Sequence, residues 1–155
     1  MALVFYHSAE EPARCALEIA EALRKHPELR VRMGIHSGPV SEVTDVSGRT
    51  NIAGAGINTA QRVMDCGDSG HILLSQHIAD DLMQYRQWAP RLRDLGECEV
   101  KHGVRIRLVN LYAEPLGNPE VPEKFRQIAA SALMPSAVTT PKRIPWHAGP
   151  TPGLF

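Results

Sequence analysis

Several features that mark function at a glance are missing from this sequence. No apolar run approaches the roughly 20 residues that a membrane-spanning helix needs, and the N-terminus carries no basic-then-apolar leader. Excess charge is absent too. The 17 Lys and Arg residues balance 17 Asp and Glu, which argues against a nucleic-acid binder held by bulk positive charge. Only three cysteines occur (Cys15, Cys66 and Cys98), none in a C-x-x-C pair. Reduced, packed thiols of a cytoplasmic protein are the expectation. Neither a G-x-S-x-G elbow, a P-loop nor a Rossmann glycine pattern is found, so hydrolase and dinucleotide readings lose their usual support.

What is present suits one globular domain. With 155 residues, 43% apolar and 22% charged, a chain can bury roughly 68–70% of its unfolded surface. Proline is unevenly spread: eight of the 12 lie from Pro115 onward. That asymmetry predicts a folded unit over residues 1–114. A Pro-rich, mostly disordered tail over 115–155 would follow, interrupted by a short helix near Glu123–Leu133.

Within 1–114, strand and helix patterns alternate. Met1–Tyr6 is continuously apolar, as a strand covered on both faces would be. Glu10, Glu11 and Pro12 then suit a helix start, and Ala13, Ala16, Leu17, Ala20 and Leu23 repeat on one face. LRVRMGIH alternates over Leu29–His36, and after Ser37-Gly38-Pro39 the run PVSEVTDV can return as its antiparallel partner. A glycine-punctuated AGAG leads into a helix at about Ala55–Asp65, with Ile57, Ala60, Val63 and Met64 inward. His71–Leu74 reads as a short strand. Ser75 can cap a helix through Tyr85, with Ile78, Leu82 and Tyr85 inward. Arg91–Val100 and Val104–Tyr112 form a final pair of strands around Lys101-His102-Gly103. The expected fold class is α+β: a ferredoxin-like sandwich with a mostly antiparallel sheet and helices on one face.

Asn58 and Arg62 are the leading candidates for chemistry. Four residues apart on the predicted helix, they share a face behind the glycine-rich loop. Backbone amides at the helix start, around Gly54 and Ala55, can receive a phosphate oxygen, and Arg62 can neutralise charge on it. By spacing alone the same pair also fits a solvated face. His71 and His77, with Asp65, Asp68, Asp80 and Asp81 nearby, match no metal-ligand spacing; they are read as solvated surface, and no metal ligand is assigned.

These residues also carry a resemblance. Gly34-Ile35-His36-Ser37-Gly38, then Gly54…Asn58…Ala60…Arg62, then Gly70-His71-Ile72-Leu73-Leu74-Ser75, and the ending LGECEVKHGVRIRLVNLY occur in one consistent order. Together they resemble the C-terminal half of a class III nucleotidyl (adenylate/guanylate) cyclase catalytic domain, over about residues 1–113. The resemblance implies that ATP or GTP is converted to a 3′,5′-cyclic nucleotide and pyrophosphate. Arg62 would face the transition state, Asn58 would orient the ribose, and Asn51 would take a base-reading position where the family often has aspartate. Gly54 and Ala55 would lie against the substrate.

The resemblance further implies a site shared across a homodimer or with a partner cyclase domain. Mg2+ or Mn2+ would be held by two aspartates in the half that precedes a strand like Met1–Tyr6. No counterpart of that half is present, so this chain is expected to carry the Asn/Arg half of a site and to be inactive alone. Two other readings stay open: a non-catalytic cyclase-homology module for dimerisation or regulation, and a small α+β domain whose glycine-rich loop holds an anion.

Overall fold

A computed structural model describes residues 1–133 of the chain. Its first regular element is helix α1 (Glu10–Leu23). The Ser8 hydroxyl accepts the Glu10 amide at 3.1 Å, and two glutamates occupy the first turn, where the helix dipole favours them. Three short strands follow: β1 (Met33–Ile35), β2 (Ser41–Thr44) and β3 (Thr50–Ala53). Helix α2 (Ala55–Met64), strand β4 (Ile72–Ser75) and helix α3 (Gln76–Met83) come next. The hairpin strands β5 (Leu92–Glu99) and β6 (Arg105–Leu111) precede the last helix, α4 (Glu123–Leu133).

The main sheet has the order β1-β4-β6-β5, while β2 and β3 form a separate antiparallel pair. β1 runs parallel to β4, and the other two pairings in the main sheet are antiparallel. This is the expected α+β class with a mostly antiparallel sheet. The helices, however, occupy both faces. Ile72 and Leu74 of β4 with Val109 and Leu111 of β6 pack against α1 and α3. Alternation sends Leu73 and Leu108 the other way, to meet Val63 of α2 and Phe125 of α4. Trp88 joins the first cluster, and its Nε1–H donates to Glu10 Oε1 at 2.7 Å.

Several local expectations change. Met1–Tyr6 pairs with no strand of the described residues, and Met1, Leu3, Phe5 and Tyr6 are exposed. An apolar run becomes a strand only where a ladder offers its N–H and C=O groups partners. β1 is shorter than its alternation suggests. Its ladder ends where Gly70 turns the chain at φ +84°, leaving Leu29 and Val31 exposed. PVSEVTDV does not return to β1; it pairs with β3, a strand hidden in the stretch read as loop. α3 stops at Met83, so Tyr85 leaves the apolar face and is exposed; its carbonyl accepts the Trp88 amide at 3.0 Å.

Packing also continues past residue 114, the expected end of the folded unit. Pro122 and Phe125 are buried, and α4 occupies the expected Glu123–Leu133. Its first amide, on Glu123, donates to Asp68 Oδ2 at 2.8 Å, so a distant carboxylate caps the helix. The remainder of the proposed tail, 134–155, lies outside the described residues.

Candidate functional site

Glycines bring the site together. An added Cβ at Gly34 of β1 would lie 2.5 Å from both the Ala60 carbonyl oxygen and the Met64 nitrogen. The backbone of α2 therefore rests directly on β1, a distance only glycine permits. The turn before β2 and the start of α2 interlock similarly. The Gly56 amide donates to the Pro39 carbonyl at 3.1 Å, and a Cβ at Gly56 would come within 2.9 Å of that oxygen. Gly54 enters the helix at φ +145°, in a conformation other residues rarely adopt.

With Gly56 and Val63 buried against the body, helical periodicity places Asn58 and Arg62 on the opposite half of α2. Asn58 is exposed and Arg62 half-exposed. Among the described residues Arg62 makes no ion pair, and neither side chain accepts or donates a hydrogen bond within the chain. A guanidinium one turn from an amide, both unengaged, is available to a polar ligand. Gly54 and Ala55 stand at the helix start as expected. The next amide along, that of Gly56, is already held by the Pro39 carbonyl. Asn51 lies on β3 opposite Val43. Its Oδ1 accepts the Ile52 amide at 2.9 Å, which leaves the Nδ2 hydrogens without a partner among the described residues. Thus Gly54, Ala55, Asn58 and Arg62 are joined on one element, and Asn51 precedes them on the exposed hairpin.

Pro39 carries no functional side-chain group and in the sequence reads only as part of the Ser37-Gly38-Pro39 turn. Its carbonyl fixes the start of α2, and only the density of glycines around it hinted at such an approach. His36 was noted only as a motif residue. Its Nδ1 shares a 2.8 Å hydrogen bond with Ser75 Oγ, so Ser75 occupies the helix-capping position without using its side chain as a cap. Burial, followed by the nearby charge of His77, holds the His36 imidazole below its ordinary pKa of 6.5. The unfolded chain then binds a proton that the folded chain resists. This contribution to stability is fully present above pH 6.5 and is lost as pH falls below it. Chemical denaturation between pH 7.5 and 5 should show that decline, and His36→Gln should flatten it. An unchanged slope in the variant would assign the effect to another group.

His71, read above as solvated surface, is instead buried. Nδ1 accepts the Asp68 amide at 2.9 Å, and Nε2 lies 2.9 Å from the Glu120 carbonyl, to which it donates. Among the described residues no three His, Cys, Asp or Glu side chains converge as a metal cage. No ligand for the Mg2+ or Mn2+ that the resemblance implies is therefore assigned among the described residues. Burial and the neighbouring Cys98 thiol push the Cys66 thiol up to about 12, so at neutral pH it stays protonated and packs as a small apolar group.

The family model of the adenylate and guanylate cyclase catalytic domain matches residues 5–112. The chain belongs to that family. It is 33% identical over 122 residues to the mouse atrial natriuretic peptide receptor 2, covering 72% of this chain and 11% of the receptor. It is 31% identical over 101 residues to an adenylate cyclase of Podospora anserina, covering 62% of this chain and 5% of that protein. Among solved structures, the guanylate cyclase domain of RhGC from Catenaria anguillulae, in complex with GTP, superposes with a TM-score of 0.58 at 23% identity. That match covers 71% of this chain and 62% of the other. The adenylate/guanylate cyclase/hydrolase of Silicibacter pomeroyi gives a TM-score of 0.54 at 25% identity, covering 70% and 65%. The chain thus spans about a tenth or less of the curated relatives and under two thirds of these solved cyclase chains. Among the described residues, no helix of this cyclase-family chain is long and apolar enough to cross a membrane.

Proposed function

We propose that this chain supplies the phosphate- and ribose-facing half of a nucleotide cyclase site, acting on ATP or GTP. The observation that carries the reading is the unengaged Asn58/Arg62 pair on the outward face of α2, fixed in place by glycine contacts at Gly34, Gly54 and Gly56. In cyclisation the ribose 3′-hydroxyl gives up its proton to solvent, its oxygen bonds to the α-phosphorus, the bond to the bridging oxygen breaks, and pyrophosphate leaves with that electron pair. Charge builds on the non-bridging oxygens during this exchange. Arg62 stabilises it there more than in the ground state. Asn58 holds the ribose so that the hydroxyl lies in line with the leaving group. Asn51 offers its Nδ2 donors to an acceptor on the base, and the start of α2 at Gly54 and Ala55 lies beside the triphosphate.

The described residues provide no carboxylate cage. In this proposal the carboxylates for Mg2+ or Mn2+ come from outside residues 1–133, and the complete site forms between two cyclase domains, as a homodimer or with a different partner domain. The 155-residue chain alone should therefore form no cyclic nucleotide from ATP or GTP with either metal. The same chain fused behind the carboxylate-bearing half of a class III cyclase domain should form it, as read by chromatography of the products. Turnover by the chain alone would overturn the division of the site. A folded, dimeric fusion without activity would favour the non-catalytic, regulatory alternative.

A further inference from the structure

Residues 113–133 lie beyond the stretch matched by the cyclase family, yet they are tied to the loop that leaves α2. Asn118 Nδ2 donates to the Ser69 carbonyl at 3.0 Å, and its Oδ1 accepts the Glu120 amide at 2.9 Å. His71 Nε2 donates to the Glu120 carbonyl at 2.9 Å, and Asp68 Oδ2 accepts the Glu123 amide at 2.8 Å. From the sheet, Asn110 Nδ2 donates to the Asn118 carbonyl at 2.7 Å. Asn118, Glu120 and the first residue of α4 are thereby fastened to Asp68–His71 and β6.

Below these bonds, packing reaches α2 itself. Phe125 shares a buried cluster with Val63, which neighbours Arg62 in the chain, and with Cys66. Cys66 Sγ donates to the Arg62 carbonyl at 3.4 Å. None of these contacts involves α1 or α3, whose apolar residues belong to the other cluster. Ala113 and Leu116 pack against the α1/α3 cluster, whereas 118–133 bear on the loop after α2, on Val63 and Cys66 of its last turn, and on the sheet strands beneath.

We propose that residues 118–133 form a clip that fixes the last turn of α2 and thereby aims Arg62, with Asn118 and Phe125 as positioning residues. The kinetic consequence rests on the cyclase reading of Arg62; the mechanical one does not. Loss of a local restraint opens a local segment, and amide hydrogen exchange reads such opening directly.

The test uses the 155-residue chain with Asn118→Ala, Phe125→Ala and the milder Phe125→Leu. Exchange across residues 60–71 should quicken by about tenfold in the two alanine variants, which is about 1.4 kcal/mol of opening free energy. Residues 10–23 and 76–83 should keep their wild-type rates, and Phe125→Leu should recover most of the protection. Unchanged exchange over 60–71 overturns the clip. So does an equal rise everywhere, which would make the segment merely stabilising. Should Phe125→Ala not fold, Asn118→Ala and Phe125→Leu decide the matter by the same criteria.

In the active fusion described above, Asn118→Ala should lower kcat about tenfold with KM within about twofold. Faster exchange with unaltered kcat would overturn the positioning role. A wild-type fusion without activity would count against the cyclase reading alone, because exchange still decides whether the clip exists.

Discussion

Arg62→Ala is expected to lower the kcat of the fused, active enzyme by about 10²–10³-fold while KM changes little. Removing one donor that faces developing charge costs about 2.7–4 kcal/mol of transition-state stabilisation. The guanidinium of Arg62 has no internal ion pair to rebuild or abandon among the described residues, so the loss should not be masked by a stability change. Asn58→Ala should act in the same direction through the ribose. Mixing Arg62→Ala chains with chains whose metal carboxylates are removed should restore part of the activity, since one mixed site keeps every group. Initial rates against substrate concentration, with mass spectrometry of the cyclic product, check both statements. A kcat within about twofold of wild type, roughly 0.4 kcal/mol, would remove Arg62 from the chemistry.

Gly34→Ala is expected to damage both stability and rate. The new methyl carbon would stand 2.5 Å from the Ala60 carbonyl oxygen and the Met64 nitrogen, and 2.8 Å from the Met64 Cα. These are backbone atoms, so no side-chain rotation relieves the clash; α2 must lift from β1. Overpacking of this kind typically costs about 1–3 kcal/mol. Ordinary carbon contacts are about 3.5–4.0 Å, so the helix must move by about 1 Å. A displacement of that size at reacting groups can cost about 10²-fold. Urea denaturation of the variant reads the first effect and the kcat of the fusion reads the second. Wild-type values for both would show that α2 is not held where Gly34 leaves room for it.

Sequence patterns disclosed the helices better than the strand partners. α2 was visible because glycines, an apolar face and the Asn58/Arg62 spacing all agree locally, and its observed start at Ala55 is the expected one. α4 lies over the expected Glu123–Leu133. β3 was hidden: Thr50–Ala53 is four residues long, nearly all exposed, and runs into the AGAG that resembles a loop. Its partner, Ser41–Thr44, could equally have returned to β1, and nothing local decides between two short exposed pairings. His71 looked like surface because its bond to Glu120 spans 49 residues of chain. The boundary at 114 rested on proline content, but proline interrupts ladders without preventing burial, and Pro122 is itself buried. Of the candidate site, the residues and their shared helix face were legible. The engagement of the Gly56 amide was not, because it depends on where Pro39 lies.

The parallel pairing of β1 with β4 has a kinetic consequence. Everything between those strands, the exposed hairpin and α2 included, is one crossover loop; the His36–Ser75 bond at its neck joins residues 39 positions apart. Closing so long a segment costs chain entropy before any contact repays it, and parallel pairing is accordingly slow. α2 reaches its station on Gly34 only through that closure. Asn58 and Arg62 should therefore be set in place late in folding, after the β5–β6 hairpin, whose partners are near in sequence, has already formed.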